Sequence, residues 1–218
     1  MRVALERRHG EKLLQPWPVT CADRHPELFA AVRDRLGDRT ASRVLSYGCS
    51  TGEEAFTLAG YLPDATFDAI DINPRCIAAA ERARSKAGVT AIRFICASSP
   101  PPQAAAYDAI FCLSVLRHGR LDAERPASCE KIMPFARFAD LVSAFDLALK
   151  PGGLLVLWGC NFRFADTPLA AGYRLISVPG KPAQQGAFFG PDDRLLQIAT
   201  YGEFMFEKIA GPAGGPAG

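Results

Sequence analysis

From residue 43 onward, short β-rich apolar runs alternate with segments of helical period, and this order restricts the fold more than any other feature of the chain. The runs Arg43–Tyr47 (RVLSY), 66–72 (TFDAIDI), 91–96 and 107–113 (YDAIFCL) read as strands one to four. Between them, 52–62 carries Ala55, Leu58, Ala59 and Leu62 on one face before Pro63, and 75–87 is an alanine-rich helix stopped by Gly88. A long helix over 135–149, with Phe138, Leu141, Val142, Phe145 and Leu149 at helical spacing, ends at Lys150-Pro151-Gly152-Gly153, and strand five follows at 154–158. Strands separated by helices predict an α/β fold with a mostly parallel sheet and helices on both faces. Past strand five the alternation stops. The pieces 173–178, 188–189, 195–199 and 203–209 are β-like, and an antiparallel C-terminal strand pair is expected among them.

The 218 residues fit one such domain, over 43–210, with an N-terminal extension over 1–42. That extension is expected to hold a helix over 24–36 with Leu28, Phe29, Val32 and Leu36 as its apolar stripe. The Pro/Gly segment 211–218 reads as a disordered tail. With 25 Lys plus Arg against 23 Asp plus Glu, the formal charge of +2 gives no basic footprint, so no nucleic-acid partner is expected. No apolar run has the length of a membrane span or a secretory signal, so no membrane partner is expected and the cytoplasm is the expected compartment. Seven cysteines without any C-x-x-C pair read as reduced, mostly buried thiols, and with three histidines no metal site is expected. The sequence leaves the oligomeric state open.

Strand one runs into Gly48-Cys49-Ser50-Thr51-Gly52-Glu53-Glu54, followed by a helix. Glycines at 48 and 52 allow a tight turn and let a ligand touch backbone at the carboxyl edge of the sheet. Ser50 and Thr51 each fit a capping box with Glu53 and Glu54. Asp71 closes strand two, 23 residues after Gly48, where a carboxylate accepts hydrogen bonds from ribose hydroxyls. A dinucleotide requires space and positive potential for a pyrophosphate over the helix N-terminus. Here Cys49, Ser50 and Thr51 fill that space, and Glu53 and Glu54 add negative charge. An acidic loop favours a positively charged nucleoside instead.

With these motifs in place, the chain resembles class I methyltransferases, and its CSTGEE at 49–54 is similar to the chemotaxis-receptor glutamate methyltransferases (CheR). The resemblance covers about residues 43–160 and extends to DINP at 71–74, IFCLSVL at 110–116 and LKPGGLL at 149–155. It implies a Rossmann-like class I methyltransferase fold, S-adenosylmethionine as cofactor and transfer of its methyl group to an acceptor. Residue by residue, it implies that Gly48, Cys49, Ser50, Thr51, Gly52 and Glu53 line the methionine and ribose side, with Asp71 on the ribose. Ile72 then flanks the adenine, Ala97 and Ser98 lie near its edge, and Leu113 lies beside the cofactor.

The chain departs from the receptor-modifying enzymes at Leu113-Ser114, where they carry Arg-Asn, and it shows no docking insertion. The favoured acceptor is therefore a small molecule. A protein carboxyl (glutamate) O-methyltransferase of the CheR type and a non-catalytic cofactor-binding module are the alternatives. Methyl transfer is mainly a matter of holding donor and acceptor in line. The candidates for positioning or deprotonating the acceptor follow strand four: Ser114, Arg117 and His118, with Asn161 and Arg163 after strand five. Two connections, 119–134 and 179–193 with Phe188 and Phe189, are candidate lids.

Overall fold

The computed structural model of the protein describes residues 20–37, 39 and 41–210. Its elements run α1 (Pro26–Leu36), β1 (Arg43–Tyr47), α2 (Glu53–Tyr61), β2 (Thr66–Asp71), α3 (Pro74–Ala87), β3 (Ile92–Cys96), β4 (Tyr107–Leu113), α4 (Gly119–Glu124), α5 (Phe135–Ala148) and β5 (Leu149–Trp158). Two 3-10 turns, Phe164–Asp166 and Pro168–Gly172, lead into β6 (Tyr173–Ile176), β7 (Gln184–Gln185), β8 (Thr200–Tyr201) and β9 (Met205–Lys208). The expected tail at 211–218 lies outside the described residues.

Seven strands form one sheet in the order β3-β2-β1-β4-β5-β9-β6. The first five are parallel; β9 inserts antiparallel between β5 and β6. The antiparallel pair expected from the sequence is thus β9 with β6, and the α/β, Rossmann-like architecture stands as expected. All seven residues of β4 are buried, because a central parallel strand is covered on both faces. On one face, α1, α2 and α3 pack Phe29, Val32, Leu58 and Ile77 against Val44, Phe67, Phe111 and Val156. On the other, α5 packs Phe138, Val142 and Phe145 against Leu45, Ile110 and Leu155. The helices change face where the chain order reverses, between β1 and β4. In an open α/β sheet a crevice for ligands opens at this point, above the carboxyl ends of the strands.

Local chemistry sets the helix ends. Pro74 opens α3 behind Asn73, whose side chain accepts the Arg75 N–H at 3.0 Å, and Gly88 closes it in the left-handed conformation. The N–H of Phe135 at the start of α5 is held by Asp193 Oδ1 at 2.6 Å, a cap supplied from 58 residues downstream. At the amino edge of the sheet, buried Asp68 accepts bonds from Arg43, Arg93 and Tyr107 Oη at 2.7 to 2.8 Å, which pins β1, β2, β3 and β4 together.

Several expectations are corrected. Lys150 to Gly153 form no free turn: β5 begins at Leu149, directly after α5, and a register shift opposite Tyr107 and Ala109 absorbs the two glycines. The pieces 188–189 and 195–199 form no strands; a single bridge joins Phe189 to Leu195, and Phe188 and Phe189 are fully buried. The polar connection after β4 contains a helix of its own, α4, anchored by buried Leu121, Cys129 and Met133. Five of the seven free cysteines are buried, while Cys21 and Cys96 are exposed.

Candidate functional site

The loop after β1 turns back over β2. Gly48 and Cys49 both donate their N–H to Ile70 O, at 2.8 and 2.9 Å, and Gly52 N–H closes the turn on Cys49 O at 2.9 Å. That path needs positive φ at Gly48 (80°), Ser50 (50°) and Gly52 (99°). The two glycines meet the requirement without a Cβ penalty, and Ser50 meets it with the loop's own bonds. Ser50 N–H donates to Asp71 Oδ2 at 2.9 Å, and Asn73 N–H to Asp71 Oδ1 at 2.7 Å. Asp71 is therefore locked to the loop. Burial raises its pKa, against the lowering effect of these two amide donors.

The expected capping box does not form. Gly52, not Ser50 or Thr51, is the N-cap of α2 and no side chain caps it. Thr51 Oγ1 instead bonds the Glu53 carboxylate at 2.7 to 2.8 Å, because the left-handed Gly52 turns the hydroxyl away from the N3 amide. Glu53 and Glu54 both sit in the first turn of α2. Glu54 folds under the loop, where its Oε1 accepts a 2.7 Å bond from Ser46 Oγ on β1. Burial pushes its pKa up to about 7, opposed by the Ser46 bond and the nearby Arg24 guanidinium.

The remaining cofactor candidates gather along the same edge. Ile72 follows Asp71, Ala97 N–H bonds Asp71 O at 3.1 Å, and Ser98 O accepts the Tyr47 hydroxyl at 2.6 Å. Leu113 is buried at the end of β4. Cys49 is buried as well, with its thiol pKa raised by burial, so only its backbone is available to a ligand.

The residues suit an adenosine whose sulfur carries a positive charge. A carboxylate offers about four lone-pair sites, and the two amide bonds leave two on Asp71 for a pair of ribose hydroxyls. Buried Asn73 adds an Nδ2 with no hydrogen-bond partner beside that carboxylate. A diphosphate fits badly, because the start of α2 is taken by Glu53 and Glu54. Val115 lies over Gly48, in the position that a Cβ there would occupy, so the segment after β4 sets how closely a ligand approaches the loop.

Ser114, with φ 63°, donates its N–H to Trp158 O at 2.6 Å, and its Oγ accepts from Arg24 Nη2 at 3.3 Å. Sequence reasoning missed Arg24 and Ser46. Arg24 stood only as the edge of an amphipathic stripe, and nothing in that periodicity shows that it reaches across 90 residues to β4. Glu54 carried a weak signal, as a second acid in the loop.

Arg117 and His118 are drawn into a different network. Arg117 Nε pairs with Asp122 Oδ2 at 2.7 Å and its Nη2 donates to Gln185 O at 2.7 Å. His118 Nδ1 caps α4 by accepting Arg120 N–H at 3.3 Å, and its own N–H donates to Asn161 Oδ1 at 2.7 Å. Asn161 Nδ2 donates to Ala187 O and Asp122 Oδ1, and that Oδ1 also accepts Ala187 N–H. The two candidate lids are thus bonded to each other at the ends of β4 and β5. Arg163 is paired with Asp166.

Residues 44–137 match the family model described as a methyltransferase domain. No curated protein matches the chain. Among solved structures, the YcgJ protein of Bacillus subtilis is similar at 18% identity and a TM-score of 0.47, over 61% of this chain and 50% of that one. The [4+2]-cyclase SpnF is similar at 23% identity and a TM-score of 0.45, over 60% and 43%. An S-adenosylmethionine-dependent methyltransferase of Mesorhizobium loti is similar at 18% identity and 0.42, over 60% and 52%. The chain spans about half the length of these structures or less. No helix among the described residues is long and apolar enough to cross a membrane, and no group of metal-binding side chains is found among them. What the matched stretch supports is a methyltransferase domain over residues 44–137.

Proposed function

We propose that this protein is an S-adenosylmethionine-dependent methyltransferase acting on a small-molecule acceptor in the cytoplasm. The observation that carries the reading is the joining of Asp71 to the Gly48–Gly52 turn through Ser50, at the switch point of the sheet, beside a helix start that is acidic. Asp71 and Asn73 would hold the ribose, with Ile72, Ala97 and Ser98 around the adenine and Leu113 against its face. Glu53 would face the positive charges of the methionine end, with Glu54 beneath the loop adding to the negative potential there. When bound, the cofactor supplies an electrophilic methyl group on a sulfonium.

The chain's own work is positioning, which is worth up to ~7 to 11 kcal/mol when geometry is favourable. Ser114 is the candidate to orient the acceptor, with Arg24 bonded to its Oγ. Arg117 and His118 contribute to this reading through the wall they build with Asp122 and Asn161. Seven cysteines free of disulfides accord with a reducing compartment.

Calorimetry tests the cofactor: S-adenosylmethionine and its demethylated product should bind, and NAD should not. Asp71→Ala should weaken binding by ~1 to 3 kcal/mol through lost charged hydrogen bonds; unchanged affinity refutes the ribose assignment. Labelled methyl groups offered with metabolite extract, protein extract and receptor fragments should appear in the first. Label in receptor fragments instead means protein carboxyl methylation of the kind its CSTGEE resembles, and label in none with cofactor bound means a silent binding module.

A further inference from the structure

Where β5 ends, the chain has built a cage around an ammonium group. The Lys181 side chain is 6% exposed although it stems from a loop whose neighbours Pro179, Gly180, Pro182 and Ala183 are all exposed. Its Nζ lies 4.5 Å from the centroid of the Trp158 ring, 2.9 Å from His25 Nδ1 and 3.2 Å from Glu27 Oε2. An aromatic face, an imidazole lone pair and a carboxylate are three groups that stabilise a desolvated cation. An ammonium can only donate, so His25 Nδ1 accepts and the ring proton sits on Nε2. That Nε2 is buried and has no hydrogen-bond partner, in a residue only 7% exposed. The cage therefore holds the cation but leaves a donor beside it unsatisfied, a costly arrangement for a purely structural clasp.

Its position adds to this. Trp158 O accepts the Ser114 N–H, and Arg24, next to His25 in the chain, bonds Ser114 Oγ. The cage and the acceptor end of the site are contiguous. Trp158 itself is partly exposed. The loop is tied down on either side of Lys181, by Val178 against the core and by buried Gln184, which bonds the Gly159 and Cys160 backbone, while Lys181 N–H bonds Val178 O at 3.3 Å.

We infer that Trp158, His25 and Glu27 form the subsite for the ammonium group of the acceptor, and that Lys181 is an internal occupant which that group displaces. This rests on the methyltransferase reading for the role of the ligand, but not for the existence of the cage. The class of acceptor it fits is a small amine carried in its ammonium form, with a chain short enough to stand in for the end of the Lys181 side chain. A fixed internal competitor reduces apparent affinity to the intrinsic affinity multiplied by the fraction of time that the cage is free.

The test uses the full chain with Trp17→Phe, which leaves Trp158 as the single tryptophan of the two in the sequence. Its fluorescence is followed, without cofactor, on titration with ethanolammonium, propylammonium and neutral 1-propanol at constant ionic strength. Saturable binding is expected for the two cations and none for propanol. Lys181→Ala should raise the affinity for both by about tenfold or more, and Glu27→Gln should lower it. If Lys181→Ala lowers the melting temperature without any gain in amine affinity, or propanol binds as well as the cations, Lys181 is a clasp and the inference is overturned. Should the alanine variant not fold, Lys181→Gln must give the same order of affinities. Because no cofactor is present, failure here leaves methyl transfer standing, and failure to bind S-adenosylmethionine leaves the cage standing.

Discussion

Glu54 Oε1 accepts a 2.7 Å hydrogen bond from Ser46 Oγ, so the floor of the loop after β1 carries a buried acid from the next helix. With a pKa raised from 4.5 to about 7, that acid is bound to its proton more tightly in the folded chain than in the unfolded one. Its contribution is complete below about pH 4.5 and is lost as pH rises through about 7. Glu54→Gln should therefore gain stability relative to the parent between pH 5 and 8, approaching ~3 kcal/mol at the upper end. Urea denaturation across that range measures the difference; a constant offset at all pH values contradicts the assignment.

His25 has the opposite slope. Burial first, then the positive charges of Lys181 and Arg24, lower its pKa to about 4, with Glu27 opposing them. Its neutral form stabilises the fold above about pH 6.5, and that contribution is lost as pH falls toward 4. Between these values the His25 and Glu54 slopes oppose each other in the parent chain. Thermal melts of His25→Gln should show stability falling from pH 4.5 to 6.5, and melts of Glu54→Gln should show it rising. Parallel curves for the two variants would remove the argument.

Gly48 is held at φ 80° with Val115 where a side chain would go. Gly48→Ala combines left-handed strain with overpacking and should cost about 2 to 4 kcal/mol. Adding Val115→Ala should return the steric share but not the conformational share. Full recovery in the double variant would show that the turn itself is indifferent to a Cβ.

Asp122 accepts bonds from Arg117, Asn161 and the Ala187 amide, joining the segments after β4 and β5. Asp122→Ala strands those donors and should destabilise the chain by about 2 to 4 kcal/mol, since buried unsatisfied polar groups cost ~1 to 3 kcal/mol each. Limited proteolysis should then cut within 179–199 before the rest of the domain. A cleavage pattern like the parent's would mean that the two segments are held by their apolar contacts alone.

The period of apolar residues and the punctuation by Gly and Pro located β1, β2, β4, α3 and α5 within a residue or two, because these elements are internally consistent and buried along a whole strand or stripe. The same logic misjudged 188–189 and 195–199. Two buried phenylalanines read like a strand, but Phe189 N–H donates to Asn161 O and Leu195 N–H to Ala127 O, both in other loops. α4 escaped notice because six residues with Leu121 as the one buried anchor carry no measurable period.

The sequence by itself determined the parallel sheet, the turn between Gly48 and Gly52 and the acid at the end of β2. Each follows from local properties: side-chain period, missing Cβ atoms and distance along the chain. Only the tertiary structure decided that Ser50 locks to Asp71, that Glu54 hides beneath Ser46, that Arg24 reaches Ser114 and that Lys181 sits against Trp158. Those pairings depend on strand order and crossover geometry, which place residues as many as 90 positions apart within hydrogen-bond reach. No pattern confined to one segment encodes such a distance.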